Sequence, residues 1–215
     1  MAETSTLGRE FLPWQTALDV FRFLYTVMAN TLSKMLPLDT PLPTVRLVNA
    51  IDGALVDVGA LATGKRGTLV IFLCNHCPFV VHIRSELVKV AHETLDRGLA
   101  VVAINSNDPV GYPQDAPPAM QRLARDDNWR FPFLFDETQE VARAFDAQCT
   151  PEFYLFDAEG KLAYRGQFDD SRPSNGKPIT GRDLRLAVEA LASGRAPSTD
   201  QKPSVGCNIK WRRTP

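Results

Sequence analysis

Two cysteines, Cys74 and Cys77 of "FLCNHCPFVVHI" (72–83), stand between an apolar run and a stretch that is apolar at helical spacing. The pattern suits three chemistries: a redox dithiol, half of a metal site, or the reactive centre of a peroxidase. A thiol is a useful nucleophile only as thiolate, and a free cysteine is mostly protonated at neutral pH. A Cys-x-x-Cys at a helix N-terminus corrects this, because the helix dipole and its unpaired N–H groups stabilise the anion. Cys74 lies just before the expected helix and Cys77 within its first turn. Pro78 is tolerated there, since its missing N–H would have no intrahelical partner. A partner disulfide attacked by Cys74 is then resolved by Cys77, one turn away. Cys74 is therefore expected to be the more exposed thiol and Cys77 the more buried. Between them, a partly charged His76 would stabilise the Cys74 thiolate; the plainer reading is a solvated helix-entry residue. His82 and His92 read as helix-surface residues.

A second constellation follows at "QCTPEFYLF" (148–156), where Thr150-Pro151 opens an apolar strand. Proline at a strand's first position, after threonine, is expected as a cis peptide that presents backbone groups to a bound chain. Cys149 precedes it, and Cys207 stands in "GCNIKW" (206–211). The plain reading makes Cys149 a buried small hydrophobe and Cys207 a surface thiol. The sharper one makes them auxiliary thiols, Cys207 exchanging with Cys149 or with the dithiol while Ile209 and Trp211 anchor the tail.

The elements that must position these groups are legible in outline. "LPLDTPLPTV" (36–45), with Pro37, Pro41 and Pro43, reads as a linker, "VRLVNA" (45–50) as a strand and "IDGA" (51–54) as a turn. "GTLVIFL" (67–73) is short, apolar and β-branched, as expected of a strand buried on both faces. Val80, Ile83, Leu87, Val90 and Ala91 then predict a helix that "DRG" (96–98) stops, and "LAVVAINSN" (99–107) is a second buried strand. Such a strand–helix–strand crossover is right-handed and makes its strands parallel. Residues 115–129 predict a helix, 131–136 a short strand, 137–147 a helix, 152–168 a hairpin about Glu159-Gly160, and 180–194 a closing helix. The sum is an α/β three-layer sandwich with a mixed sheet. Ligands in such sheets sit beyond the carboxyl ends of the parallel strands, so the cysteine loop and "NSND" (105–108) should be neighbours. Residues 36–195 form the domain, 1–35 an N-terminal extension, and 196–215 an unstructured or surface-wrapping tail.

Composition narrows the function. With 215 residues the chain holds one domain with a sizeable core plus extensions, and four cysteines at this length do not make a disulfide-stapled scaffold. A net charge of −1 gives no reason to expect nucleic acid or an anionic membrane as partner. "PWQTALDVFRFLYTVM" (13–28) is interrupted by Asp19 and Arg22 and preceded by Glu3 and Glu10, unlike a signal peptide, and is short for a membrane span. Leu18, Phe21, Tyr25 and Met28 share a face, which predicts an amphipathic helix. The alternatives are an extension from upstream translation, with Met28 or Met35 as the start, or an unusual export signal. Cytoplasm is the expected compartment.

The fold order, "CNHC" and "CTPEF" resemble the thioredoxin-like clan. More closely, "INSND", "FPFLFDETQEVARAF", "CTPEFYLFD", "YRGQFDDSRPSNGKPITG" and "PSVGCNIKW" resemble bacterial thioredoxin-like proteins of the alkyl hydroperoxide reductase/thiol-specific antioxidant superfamily. The resemblance runs from about residue 36 to 212. It implies a thioredoxin-like sandwich, with Cys74 as attacking thiol, Cys77 as resolving thiol and Pro151 as the cis-proline facing them. Two departures matter. Leu73 stands where thioredoxins carry Trp, and residues 67–73 lack the buried Asp that helps deprotonate the resolving cysteine. Glu152 is the candidate to move that proton instead.

The expected activity is thiol–disulfide oxidoreduction on protein dithiols or disulfides, served by a thioredoxin or glutathione system and needing no cofactor. A peroxidase of the same superfamily carries Pro-x-x-x-Thr-x-x-Cys. With Cys77 as its reactive cysteine, Val70 stands at the proline and Cys74 at the threonine, so both groups are absent. Zinc or copper(I) on Cys74, Cys77 and a histidine, with Cys149 or Cys207, is the remaining alternative. No histidine follows His92 and no second close ligand pair exists, so no metal is expected.

Overall fold

The computed structural model describes residues 30–212; the helix expected over 13–28 lies outside the described residues. In chain order the strands and helices are β1 (Thr31–Leu32), β2 (Arg46–Asn49), β3 (Leu55–Asp57), α1 (Val58–Ala62), β4 (Thr68–Phe72), α2 (Pro78–Asp96) and β5 (Ala100–Asn105). A 3₁₀ turn at Pro113–Asp115 leads into α3 (Pro117–Asp126), β6 (Phe133–Phe135), α4 (Glu140–Ala144), β7 (Cys149–Thr150), β8 (Glu152–Phe156), β9 (Leu162–Tyr164), α5 (Arg182–Ala192) and β10 (Val205–Asn208).

Seven strands make one mixed sheet in the order β3-β2-β6-β5-β4-β8-β9. β4 and β5 pair in parallel, as do β5 and β6, while β8 lies antiparallel to β4 with Phe72 opposite Glu152. Every residue of β4, β5 and β8 is buried, because both faces of the sheet are covered. The pleat divides them. Leu69, Ile71, Val101, Ala103, Phe153 and Leu155 pack in the core that α2, α3 and α5 cover. Val70, Phe72, Val102, Ile104, Tyr154 and Phe156 join Val58 of α1, Ala142 of α4 and Phe145 on the opposite side. This is the expected three-layer sandwich. Val80, Ile83, Leu87, Val90 and Ala91, chosen by their spacing, are all buried on α2. Among the described residues no helix is long and apolar enough to cross a membrane.

Two expectations need correction. The helix expected over 137–147 is confined to Glu140–Ala144, because Gln139 takes a left-handed conformation (φ 63°) and the Asp136 carboxylate accepts the N–H groups of Val141 and Ala142. A short strand and helix, β3 and α1, occupy residues 55–62, where none was expected. Of the two forms expected for the tail, it takes the surface-wrapping one and not the unstructured one, anchored through Ile209 and Trp211 as anticipated. Its residues 205–208 are the middle strand of a second sheet, β1-β10-β7, and Ile209 is fully buried against Phe145 and its neighbours. Further contacts hold it: the Lys210 carbonyl accepts from the Asp108 N–H and the Gln139 side-chain amide. Arg143 lies over the Trp211 ring, 4.7 Å from its centroid.

Gly206 sets how closely this strand approaches. A Cβ there would run into the Thr150 carbonyl, a backbone group that cannot give way. Gly206→Ala should therefore part β10 from β7. The expected readout is loss of amide-exchange protection over residues 205–208 and faster alkylation of Cys74 and Cys77, with the main sheet still protected.

Candidate active site

The dithiol loop leaves the end of β4, and the helix it enters begins late. Cys77 is the N-cap of α2 and Pro78 its first residue, a position where proline's fixed φ favours the helix. Because β8 runs antiparallel to β4, the chain entering β8 arrives at the same end of the sheet. It brings Thr150-Pro151, whose peptide bond is cis as expected. The Cys74 sulfur lies 3.5 Å from Thr150 Oγ1, and the Cys77 thiol donates to the Thr150 carbonyl at 3.0 Å. Sequence-chosen Cys74, Cys77, Thr150 and Pro151 thus converge.

Cys74 was expected to be the more exposed thiol, yet the two hardly differ: Cys74 is 1% exposed and Cys77 0%. The cover is the tail, since β10 runs along β7 and Cys207 packs against the core cluster that holds both thiols. Burial first, then the Cys77 thiol and the Asp115 charge, push Cys74 well above the usual thiol range, and only the Thr150 hydroxyl acts the other way. Burial also raises Cys77. There, hydrogen bonds from Cys207, Cys74 and Thr150 and the amide of Val80 outweigh it and draw the thiol far down.

Asp115 is the residue sequence reading missed. It is fully buried and accepts from the Asn75 N–H (2.8 Å), the Asn107 side-chain amide (2.8 Å) and His76 Nδ1 (2.6 Å). It ties the cysteine loop to the "NSND" loop, which are neighbours as the topology required. The signal was slight, an aspartate before a proline-led helix in "QDAPP" (114–118). His76 donates its Nδ1–H to Asp115 and stacks on Tyr112 (centroids 5.0 Å apart), with the Cys74 sulfur 3.9 Å from that same nitrogen. One N–H already committed to a carboxylate is poorly placed to serve a thiolate as well. Donor atoms of Cys74, His76 and Asp115 lie within 4.8 Å of one another. Both Asp115 oxygens are hydrogen-bonded, so a cation there would have to displace N–H donors.

Glu152 and Cys149 form a separate cluster. Glu152 is buried, and its Oε2 accepts from the amides of Gln148 (2.7 Å) and Cys149 (3.1 Å), with the Cys149 sulfur 3.8 Å away. These bonds shape the turn into β7. Burial, then the Glu152 charge, pushes the Cys149 thiol far up. His82 and His92 each have a partner on the helix surface, Ser171 Oγ (2.8 Å) and the Arg130 N–H (3.3 Å).

A mixed sheet between two helical layers, with a buried Cys-x-x-Cys capping a helix across from a cis-proline, defines a thioredoxin-like redox protein. The Redoxin profile matches residues 37–180, and the chain belongs to that family. An uncharacterized conserved protein from Geobacillus kaustophilus is 48% identical, covers 87% of this chain and 99% of its own, and superposes with a TM-score of 0.84. A hypothetical protein from Sinorhizobium meliloti is 44% identical over 86% of this chain and 100% of its own, with a TM-score of 0.83. A secreted disulfide oxidoreductase from Mycobacterium tuberculosis, 20% identical over 68% of this chain and 96% of its own, shares the fold with a TM-score of 0.52. No curated protein matches the sequence.

Two outcomes are expected. Asp115→Ala orphans three buried donors and should cost about 3 kcal/mol in chemical denaturation, with Asp115→Asn, which keeps one acceptor, costing about half. Cys149, its pKa raised, stays protonated through neutral pH; iodoacetamide at about pH 8 should label it only after denaturation.

Proposed function

We propose that this protein is a thiol–disulfide oxidoreductase in which Cys74 attacks and Cys77 resolves. The observation that carries the reading is geometric: two buried thiols three residues apart converge on Thr150, whose hydroxyl lies beside the Cys74 sulfur and whose carbonyl accepts from the Cys77 thiol. Cys77, drawn down, is already disposed to be a thiolate, which the resolving step needs. Cys74 precedes the helix on the side of half-exposed Asn75 and His76, where a partner disulfide can approach once the tail lifts. Attack by the Cys74 thiolate breaks the partner disulfide, leaving a mixed disulfide on Cys74 and freeing the other partner sulfur, which takes up the proton Cys74 gave. The Cys77 thiolate then attacks the Cys74 sulfur, forming the Cys74–Cys77 bond and releasing the partner as a thiol. The low pKa of Cys77 supplies what a buried Asp on β4 would otherwise do, and Glu152 is not required for it. Phe79, Pro151, Phe168 and Val205 line a shallow pocket beside the site that suits a partner's apolar side chain. The proposed partners are protein disulfides, with a thioredoxin or glutathione system returning the electrons.

A second reading is favoured by the same low pKa: Cys77 as the first nucleophile, toward a peroxide. Against it, Val70 and Cys74 replace the proline and threonine that position peroxide oxygens. Insulin reduction driven by dithiothreitol should be catalysed by the wild type and fall to the uncatalysed rate in Cys74→Ser. Cys77→Ser should accumulate a mixed disulfide on Cys74. Peroxide consumption should be slight in every variant. Rapid, saturable peroxide turnover that survives Cys74→Ser would establish the second reading over the first.

A further inference from the structure

Cys207 faces the dithiol from across a strand pair, and the pleat leaves no choice about this. Residues directly opposite in an antiparallel pair put their side chains on one face, and their chain neighbours on the other. Cys207 is opposite Thr150, and Asn208 is opposite Cys149. Thr150 turns its hydroxyl to the Cys74 sulfur, so Cys207 lies on the dithiol side. Cys149 points the other way, to Glu152. Cys207 packs on the core cluster that holds Cys74 and Cys77, and its thiol and that of Cys77 each bear on the other's ionisation. Gly206 and the absence of any Cβ there allow the close approach.

We propose that Cys207 is a third redox thiol of this site, and that the Cys74–Cys77 disulfide passes on to Cys77–Cys207. This rests on the reading of Cys74–Cys77 as the redox dithiol. The Cys207 thiolate attacks the Cys77 sulfur; the Cys77–Cys207 bond forms, the Cys74–Cys77 bond breaks, and Cys74 leaves as a thiolate that takes up the proton Cys207 gave. No electrons enter or leave, so no oxidant is needed beyond the partner disulfide that oxidised the dithiol. The foremost cause holding the Cys207 thiol protonated is the Cys77 sulfur. Once Cys77 is in a disulfide that cause is gone, so Cys207 becomes a nucleophile when there is a bond for it to attack. Lys210 favours the anion further. The product is a protein whose tail strand is tied covalently to the first turn of α2, with Cys74 returned to the reduced state.

The whole chain, equilibrated briefly with oxidised glutathione, quenched in acid, alkylated and cut with trypsin, tests this by mass spectrometry. Cys74 and Cys77 fall in one tryptic peptide (67–84) and Cys207 in another (196–210). The expected course is an internal Cys74–Cys77 bond first, then a bridge between the two peptides growing at its expense, with Cys74 alkylated. Cys74→Ser should form the bridge directly, Cys149→Ser should form it as the wild type does, and Cys77→Ser should not form the same bridge. An oxidised wild type with Cys207 fully alkylated, and no bridge in Cys74→Ser, overturns the proposal while leaving the dithiol intact. Cys207→Ser examines the dithiol alone: if the Cys74–Cys77 bond fails to form there, the functional reading falls and this inference with it.

Discussion

The antiparallel pairing of β8 with β4 is the constraint on which the site depends. β4 delivers the cysteine loop at its carboxyl end, and β8 must be entered from that same end because it runs the other way. With Phe72 opposite Glu152, the residues beyond the paired segment are Leu73 and Cys74 on one strand and Thr150-Pro151 on the other. A slip of one residue would exchange the two faces of β8, sending Phe153 and Leu155 into the wrong core. The buried packing of those side chains therefore holds Thr150 against the two thiols.

How much of this was legible follows from the range of the interactions. β4, α2 and β5 were readable because each declares itself locally, by a β-branched run or by apolar spacing. The dithiol and Thr150-Pro151 were readable because their residue types are chemically distinctive. Asp115 was not, since its meaning lies in three donors scattered over residues 75, 76 and 107, and local sequence shows none of them. The strand in the tail went unread for a related reason. "PSVGCNIKW" (203–211) has too few apolar residues to announce a strand, and its pairing partners, β1 and β7, are two residues each. Its order comes from Gly206 fitting beneath the Thr150 carbonyl and from Ile209 filling a space beside Phe145, both properties of the folded surface.

The two thiols are chemically unequal although both are buried, which shows that burial alone does not set reactivity here. Desolvation acts on both in the same sense. The difference is the company each keeps: the neighbours of Cys77, Cys207 and Cys74 foremost, act against its burial, and Cys74 has a carboxylate nearby in Asp115. In a site this dry, a single hydrogen-bond donor is worth more than it would be in water. That lets a short loop draw two identical side chains in opposite directions.

The order in which the chain is made gives the covering strand a further meaning. Cys74 and Cys77 leave the ribosome well before residues 205–208, an interval on the order of ten seconds at ordinary synthesis rates. During that time the sheet can assemble as far as β9 and α5, yet the strand that shields the sulfurs does not exist. The nascent protein thus passes through an uncapped form whose thiols are open to any passing oxidant or disulfide. Translation itself closes the site, with the last turn of the key held by a glycine, a cysteine and one buried isoleucine.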